Sequence, residues 1–213
     1  MLSQDGLNIT KKIMQPTVIE FDKQLTVPVK FWEFQLPECS EYPIEQVHLD
    51  IEKVIRESGD TRKRTTNVKA IMTDWLMTDH RCFKVVADCV ENVIKQWYSQ
   101  NTSLDLETFM TTCWGSIYGL GDYSEPHAHT PALYSWVYYV KVSERTSPIR
   151  FLSDPSWTYY PKSGDGIIFP GWLRHETPRQ LVDEDRVLVV GNVEGTGSVT
   201  YPQVQRRFLD VKS

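Results

Sequence analysis

Cysteine, histidine and basic charge are all scarce in this 213-residue chain, and each scarcity narrows what it can be. The four cysteines have neither metal-type nor disulfide-type spacing, so they give no disulfide framework and no thiolate zinc site. Cys82 and Cys89, seven apart on one helical stripe, read as buried thiols. Lys and Arg number 23 against 28 Asp and Glu, and the resulting net charge of −5 argues against a duplex nucleic-acid binder, which needs a basic face. The one basic run, Arg62-Lys63-Arg64, is short and reads as a solvated loop. No apolar stretch reaches membrane-spanning length, and the N-terminal segment lacks a basic-then-apolar secretory pattern. The expected location is therefore the cytoplasm, of a bacterium or of an infected host cell, with no membrane partner.

What is present suffices for a folded core. Hydrophobic residues make up 40% and charged residues 24%, with seven tryptophans, so a largely disordered chain is excluded. We read one domain over 1–213: strands and supporting helices over 1–105, a β core over 106–195 and a C-terminal extension over 196–213. Thr17 to Phe21 and Val27 to Trp32 read as extended. Ile44, Val47, Ile51, Val54 and Ile55 recur at helical spacing, with Ser40 as a candidate cap, Pro43 in the first turn and Gly59 beyond the end. Asn67 to Trp75 reads as a strand or binding loop. A second helix, capped by Asp79, carries the stripe Phe83, Val86, Cys89, Val90, Val93 and Trp97. From Thr108 onward short β-segments alternate with Gly/Pro turns: 109–118, 133–142, 148–152, 166–169, 172–176 and 186–193. Many short strands of this kind predict a sandwich or barrel, with the two helices covering one sheet from outside.

Three of only five histidines form a pattern. His127 and His129 stand two apart after a Gly/Pro-rich turn, and His175 follows Phe169-Pro170-Gly171-Trp172-Leu173-Arg174. Two ligands at i and i+2 on a strand share a face, and a third from a distant strand completes a facial set with open positions opposite. Such a set fits non-haem iron and catalytic zinc alike. His48, flanking the first helical stripe, reads as packing, and His80 as surface. Arg186 heads the apolar run Val187 to Val190, where a cation without an anionic partner is costly. A cosubstrate with a carboxylate at one end and a chelating 2-keto acid at the other would satisfy both Arg186 and the metal. Surface pairing of Arg186 with Glu184 or Asp183 is the alternative.

Four ordered motifs then carry a resemblance. Tyr118-x-x-Gly121-x5-His127-x-His129, the strand Ser135 to Val140, the strand Gly164 to Pro170, and His175-x10-Arg186 together resemble the iron(II)/2-oxoglutarate-dependent dioxygenases. The likeness is to their prolyl-hydroxylase-like branch, in particular its small bacterial and phage-encoded members, and covers about Trp114 to Asn192. Asn67 to Trp75 also resembles the segment before the core in the phage-type proteins. The resemblance implies a double-stranded β-helix (jelly roll, cupin-like), with Fe(II) as metal and 2-oxoglutarate and O2 as cosubstrates. It implies hydroxylation of a peptidyl or small-molecule substrate, with 2-oxoglutarate converted to succinate and CO2. His127 and His175 match iron ligands, Arg186 the residue that binds the far carboxylate, and Tyr118 and Tyr139 tyrosines lying against the cosubstrate. Period two places Ser135, Val137 and Tyr139 on the inward face with them if the register holds past Pro131. Trp75, Trp114 and Trp172 are candidate walls of a substrate pocket, with Trp157 and Tyr159 also considered; core packing is the bland reading for most of these rings.

The departure from the family is His129, where an Asp or Glu is usual. A neutral imidazole leaves the site one unit more positive and alters the tuning of the metal. It also resembles three-histidine cupin-type dioxygenases that use no keto acid. Glu125 is a weaker candidate for an oxygen ligand. Two rival readings therefore stand beside the first: a three-histidine metal enzyme indifferent to 2-oxoglutarate, and a non-catalytic jelly-roll binding module.

Overall fold

A computed structural model describes residues 17–24, 28–59, 66–101 and 109–195. In chain order its elements are β1 (Val18–Gln24), β2 (Pro28–Phe34), α1 (Ile44–Glu57), β3 (Val68–Lys69), β4 (Ile71–Met72), a 3-10 turn (Met77–Asp79) and α2 (Arg81–Asn101). Then follow β5 (Phe109–Tyr118), β6 (Tyr123–His127), β7 (Tyr134–Lys141), β8 (Ile149–Phe151), β9 (Trp157–Tyr159), β10 (Gly166–Pro170), β11 (His175–Thr177) and β12 (Arg186–Gly195). The strands build a seven-stranded sheet, β1-β2-β10-β7-β12-β5-β4, and a five-stranded sheet, β3-β6-β11-β8-β9. Every paired strand is antiparallel. The expected jelly-roll core with two covering helices is what is found. The extension over 196–213 and the run Arg62-Lys63-Arg64 lie outside the described residues.

Strand β7 shows why the large sheet sits between two layers. Six consecutive residues, Ser135 to Val140, are buried. Trp136, Tyr138 and Val140 pack into the core shared with the helices, while Val137 and Tyr139 pack into the core between the sheets. Alternate side chains of one strand thus feed both cores. Helix α1 presents Val47, Ile51 and Ile55 to the sheet, all at most 1% exposed, each contributing about 1.5–3 kcal/mol of burial. It approaches β5 so closely that a Cβ on Gly115 would lie 2.4 Å from Ile55 Cγ1.

Both helix starts differ from expectation. Pro43, not Ser40, occupies the N-cap of α1, without a side-chain capping bond. Asp79 belongs to the 3-10 turn, and α2 begins two residues later. The helical stripes held: Phe83, Val86, Cys89, Val90 and Val93 are buried. His48 packs half-buried with Nε2 2.8 Å from Tyr138 Oη, and His80 is exposed. All four cysteines are free, and Cys82, Cys89 and Cys113 are buried. No helix among the described residues is long and apolar enough to cross a membrane.

Candidate metal centre

Pairing of β6 with β11 places His127 directly opposite His175, although 48 positions separate them in the chain. His129 lies just past the end of β6 rather than on the strand. Its position comes from backbone bonds: its N–H donates to Gly171 O at 2.7 Å, and its carbonyl accepts from Ala132 N at 2.7 Å. Gly171 is required there, because a Cβ would stand 2.3 Å from Ala132 O. The three ring centroids are 4.5, 4.9 and 5.2 Å apart. One nitrogen from each ring lies within 4.8 Å of the others.

The tautomers follow from the hydrogen bonds. His127 Nδ1 lies 2.6 Å from Glu125 O, and His175 Nδ1 lies 2.9 Å from Leu173 O. A carbonyl only accepts, so both Nδ1 atoms carry the proton and both Nε2 atoms keep a lone pair. This is the outer-shell arrangement that orients metal-binding imidazoles. Burial holds the rings neutral: His175 is pushed down to about 3 and His129 to about 4, in each case with His127 adding to the effect. Burial lowers His127 as well, opposed by its bond to Glu125 O. Glu125 is exposed and outside the cluster. Phe169, with its ring 4.9 Å from that of His175, and Trp114, 6.0 Å from that of His129, wall the cluster with apolar surface.

A cavity enclosing about 400 Å³, its open mouth included, joins this cluster to Arg186. Arg186 opens β12 opposite Tyr118 and is 1% exposed. Its Nε and Nη1 have no hydrogen-bond partner, and neither does the buried Tyr139 Oη. The guanidinium lies 5.1 Å from the Tyr118 ring and 5.4 Å from the Tyr139 ring. Burial raises both phenols, Tyr139 up to about 12, against the pull of the adjacent cation. The acidic neighbours in sequence are engaged elsewhere: Glu184 with Arg145 and Ser143, Asp185 with Arg56. A buried cation thus faces the cavity without an anion.

The other expected site residues divide. Trp114 and Tyr118 line the cavity. Ser135 shares the inward face of β7, but its hydroxyl donates to Asn192 Oδ1 at 2.9 Å and it is not among the lining residues. Trp75 packs edge-on against Trp114 at 4.7 Å and is 46% exposed; Trp172 is 47% exposed. Neither lines the cavity, and Trp157 stacks on Phe151 in the core. Ser116 and Leu188, which do line it, were not singled out from sequence. Counting back by twos from Tyr118 and forward by twos from Arg186 would have found both.

No family model matches the chain, and no curated protein does. Solved structures do. A prolyl-4-hydroxylase from Pseudomonas putida matches with a TM-score of 0.58 at 16% identity, covering 78% of this chain and 93% of that one. A prolyl hydroxylase from Trichoplax adhaerens, in complex with a hypoxia inducible factor peptide fragment, matches at 0.58 and 15%, covering 78% and 83%. HygX from Streptomyces hygroscopicus, with nickel and 2-oxoglutarate bound, matches at 0.56 and 10%, covering 78% and 83%. The chain therefore has the fold of the 2-oxoglutarate-Fe(II) oxygenases.

Proposed function

We propose that this chain is a non-haem Fe(II)/2-oxoglutarate-dependent oxygenase that hydroxylates a peptidyl or small-molecule substrate. One observation carries the reading. Three converging imidazoles, two of them with Nε2 free of a proton, and a guanidinium with two unpartnered nitrogens line the same cavity. The donor set suits a divalent metal, and the orphaned Arg186 suits the far carboxylate of a keto diacid. His127, His129 and His175 would hold the metal; Arg186, with Tyr118 and Tyr139 against it, would hold the cosubstrate. Bound iron and 2-oxoglutarate supply the activation of O2, coupled to conversion of the keto acid to succinate and CO2.

The residues of the chain contribute orientation and exclusion of water. The carbonyls of Glu125 and Leu173 fix two imidazoles with Nε2 inward, and the Gly171 carbonyl fixes the backbone of the third. Arg186 gives the diacid a direction, since only its end of the cavity carries a side-chain cation. Val137 and Leu188 line the cavity and Phe169 packs on His175, so apolar side chains stand beside these groups and strengthen their interactions. The all-histidine set also fits the keto-acid-independent reading, but that reading leaves Arg186 without a role.

The test is anaerobic titration with iron(II) followed by 2-oxoglutarate. A visible charge-transfer band that His175→Ala abolishes is the expected result. No band, with iron bound, would exclude the keto acid from the metal.

A further inference from the structure

The rings packed against the three imidazoles differ in how readily they give up an electron. His175 stands beside Phe169 and Phe151, with ring centroids 4.9 and 6.1 Å away. His129 stands beside Trp114, at 6.0 Å. An indole is oxidised far more readily than a phenyl ring, so one side of the cluster is insulated and the other is not. Trp114 in turn packs edge-on against Trp75, with centroids 4.7 Å apart. The second indole is tied to the strand that carries the first: Cys113 N–H donates to Trp75 O at 3.0 Å, and Leu76 bridges to Cys113. Trp114 is 2% exposed and Trp75 46%, so two packed indoles run from the cluster to solvent.

Burial gives this pair a direction. A positive charge is costly on a buried ring and much less so on one that water reaches. Trp114 Nε1 has no hydrogen-bond partner, so an oxidised Trp114 has no neighbouring group to take its proton. Trp75 can release its proton to water. An electron vacancy on Trp114 therefore moves outward and settles on Trp75. Tyr118 and Tyr139 offer no comparable branch, because they stand at the Arg186 end. There a guanidinium 5.1 and 5.4 Å away raises the cost of removing an electron from either ring.

We infer that Trp114 and Trp75 form an electron-transfer relay that draws oxidising equivalents out of the metal centre when O2 is consumed without substrate. The oxidised iron gains one electron and the Trp114 ring loses it. The Trp75 ring returns an electron to Trp114 and becomes a radical cation. Its N–H gives a proton to water, leaving a neutral radical, and an enediol or thiol reductant supplies the electron and proton that restore it. This rests on the part of the proposed function that puts iron at the three imidazoles.

The test uses full-length, iron(II)-loaded protein without primary substrate, a nitroso spin trap that bonds to carbon-centred radicals, and peptide mapping of the adducts. The oxidant is supplied in two ways: O2 with 2-oxoglutarate, and hydrogen peroxide with no keto acid. Trp172 is the internal control, since it is 47% exposed, follows the Gly171 that bonds His129, and makes no ring contact among the described residues. A diffusing oxidant attacks both exposed indoles, whereas the relay delivers to Trp75 alone. The expected result is an adduct on Trp75 and none on Trp172, suppressed by ascorbate and missing from zinc(II)-loaded protein. Trp114→Phe, shown by elemental analysis to hold iron, should lose the Trp75 adduct although Trp75 stays exposed. Equal adducts on Trp75 and Trp172, no adduct on Trp75 with either oxidant, or a Trp75 adduct that persists in iron-loaded Trp114→Phe would overturn the relay. The first two need no variant. An adduct formed with peroxide but not with O2 and 2-oxoglutarate would uphold the relay and overturn the proposed use of the keto acid.

Discussion

Replacing Arg186 by Met should stabilise the ligand-free protein while abolishing its affinity for 2-oxoglutarate. Arg186 is 1% exposed, with Nε and Nη1 unpartnered and no carboxylate beside them. Removing such a cation from water costs several kcal/mol even after relaxation. The Tyr118 and Tyr139 rings, at 5.1 and 5.4 Å, return about 1–2 kcal/mol each. The balance leaves the ligand-free fold burdened by a few kcal/mol, which a flexible apolar side chain of similar length removes. We expect a gain of about 1–3 kcal/mol, read as a rise in Tm of about 2–4 °C for each kcal/mol. Loss of a buried, hydrogen-bonded charge pair should weaken 2-oxoglutarate by about 2–5 kcal/mol, from tens-fold to thousands-fold. Thermal melting of metal-loaded protein, with and without 2-oxoglutarate, measures both. A variant that melts lower and still responds to 2-oxoglutarate would refute the argument, because Arg186 would then have a partner inside the fold.

Three further outcomes follow from the site. His129→Asp should retain metal but weaken 2-oxoglutarate at least tenfold, since one added negative charge at ~5 Å is worth roughly 3 kcal/mol at an effective dielectric of ~20; unchanged affinity in calorimetry would place the diacid away from the metal. Gly171→Ala drives a Cβ into Ala132 O, displaces the turn that seats His129, and should lower zinc affinity about 10–100-fold in a chelator competition; wild-type affinity would detach that turn from the site. Metal-free protein should lose stability as pH falls below about 6.5. His175 at about 3 binds its proton less readily folded than unfolded, so the unfolded chain takes up more protons across that window. The slope it adds approaches 1.4 kcal/mol per pH unit. Urea unfolding of the protein and of His175→Phe between pH 7 and 4 should diverge by that slope, and parallel curves would contradict it.

Strands β5 and β12 were legible to within two residues because apolar residues recur along each between Gly/Pro turn signals. Helix α1 was legible for the same reason at helical period. Its start was not, since Ser40 is as good a cap by composition as any, yet Pro43 occupies the N-cap without a side-chain capping bond. His129 shows the limit within the site. Spacing of two predicted a strand face shared with His127, yet β6 ends at His127 and the loop's bonds to Gly171 and within the 129–132 turn seat the ring. The exposed Trp75 and Trp172 and the buried Trp114 are equal in composition; burial alone separates them.

The sequence by itself determined which side chains were available for chemistry: three histidines in one pattern, an arginine at the head of an apolar strand, and the alternation that makes such strands two-faced. Tertiary structure decided that they meet. The β6–β11 register sets His127 against His175, and the β5–β12 register aligns Arg186, Ser116 and Trp114 along one cavity. It also decided that Glu184 and Asp185 pair with other arginines, leaving Arg186 without an anion. The physical reason is that antiparallel pairing fixes neighbours by register across the sheet, and no local pattern within one strand encodes which residue of another will lie opposite it.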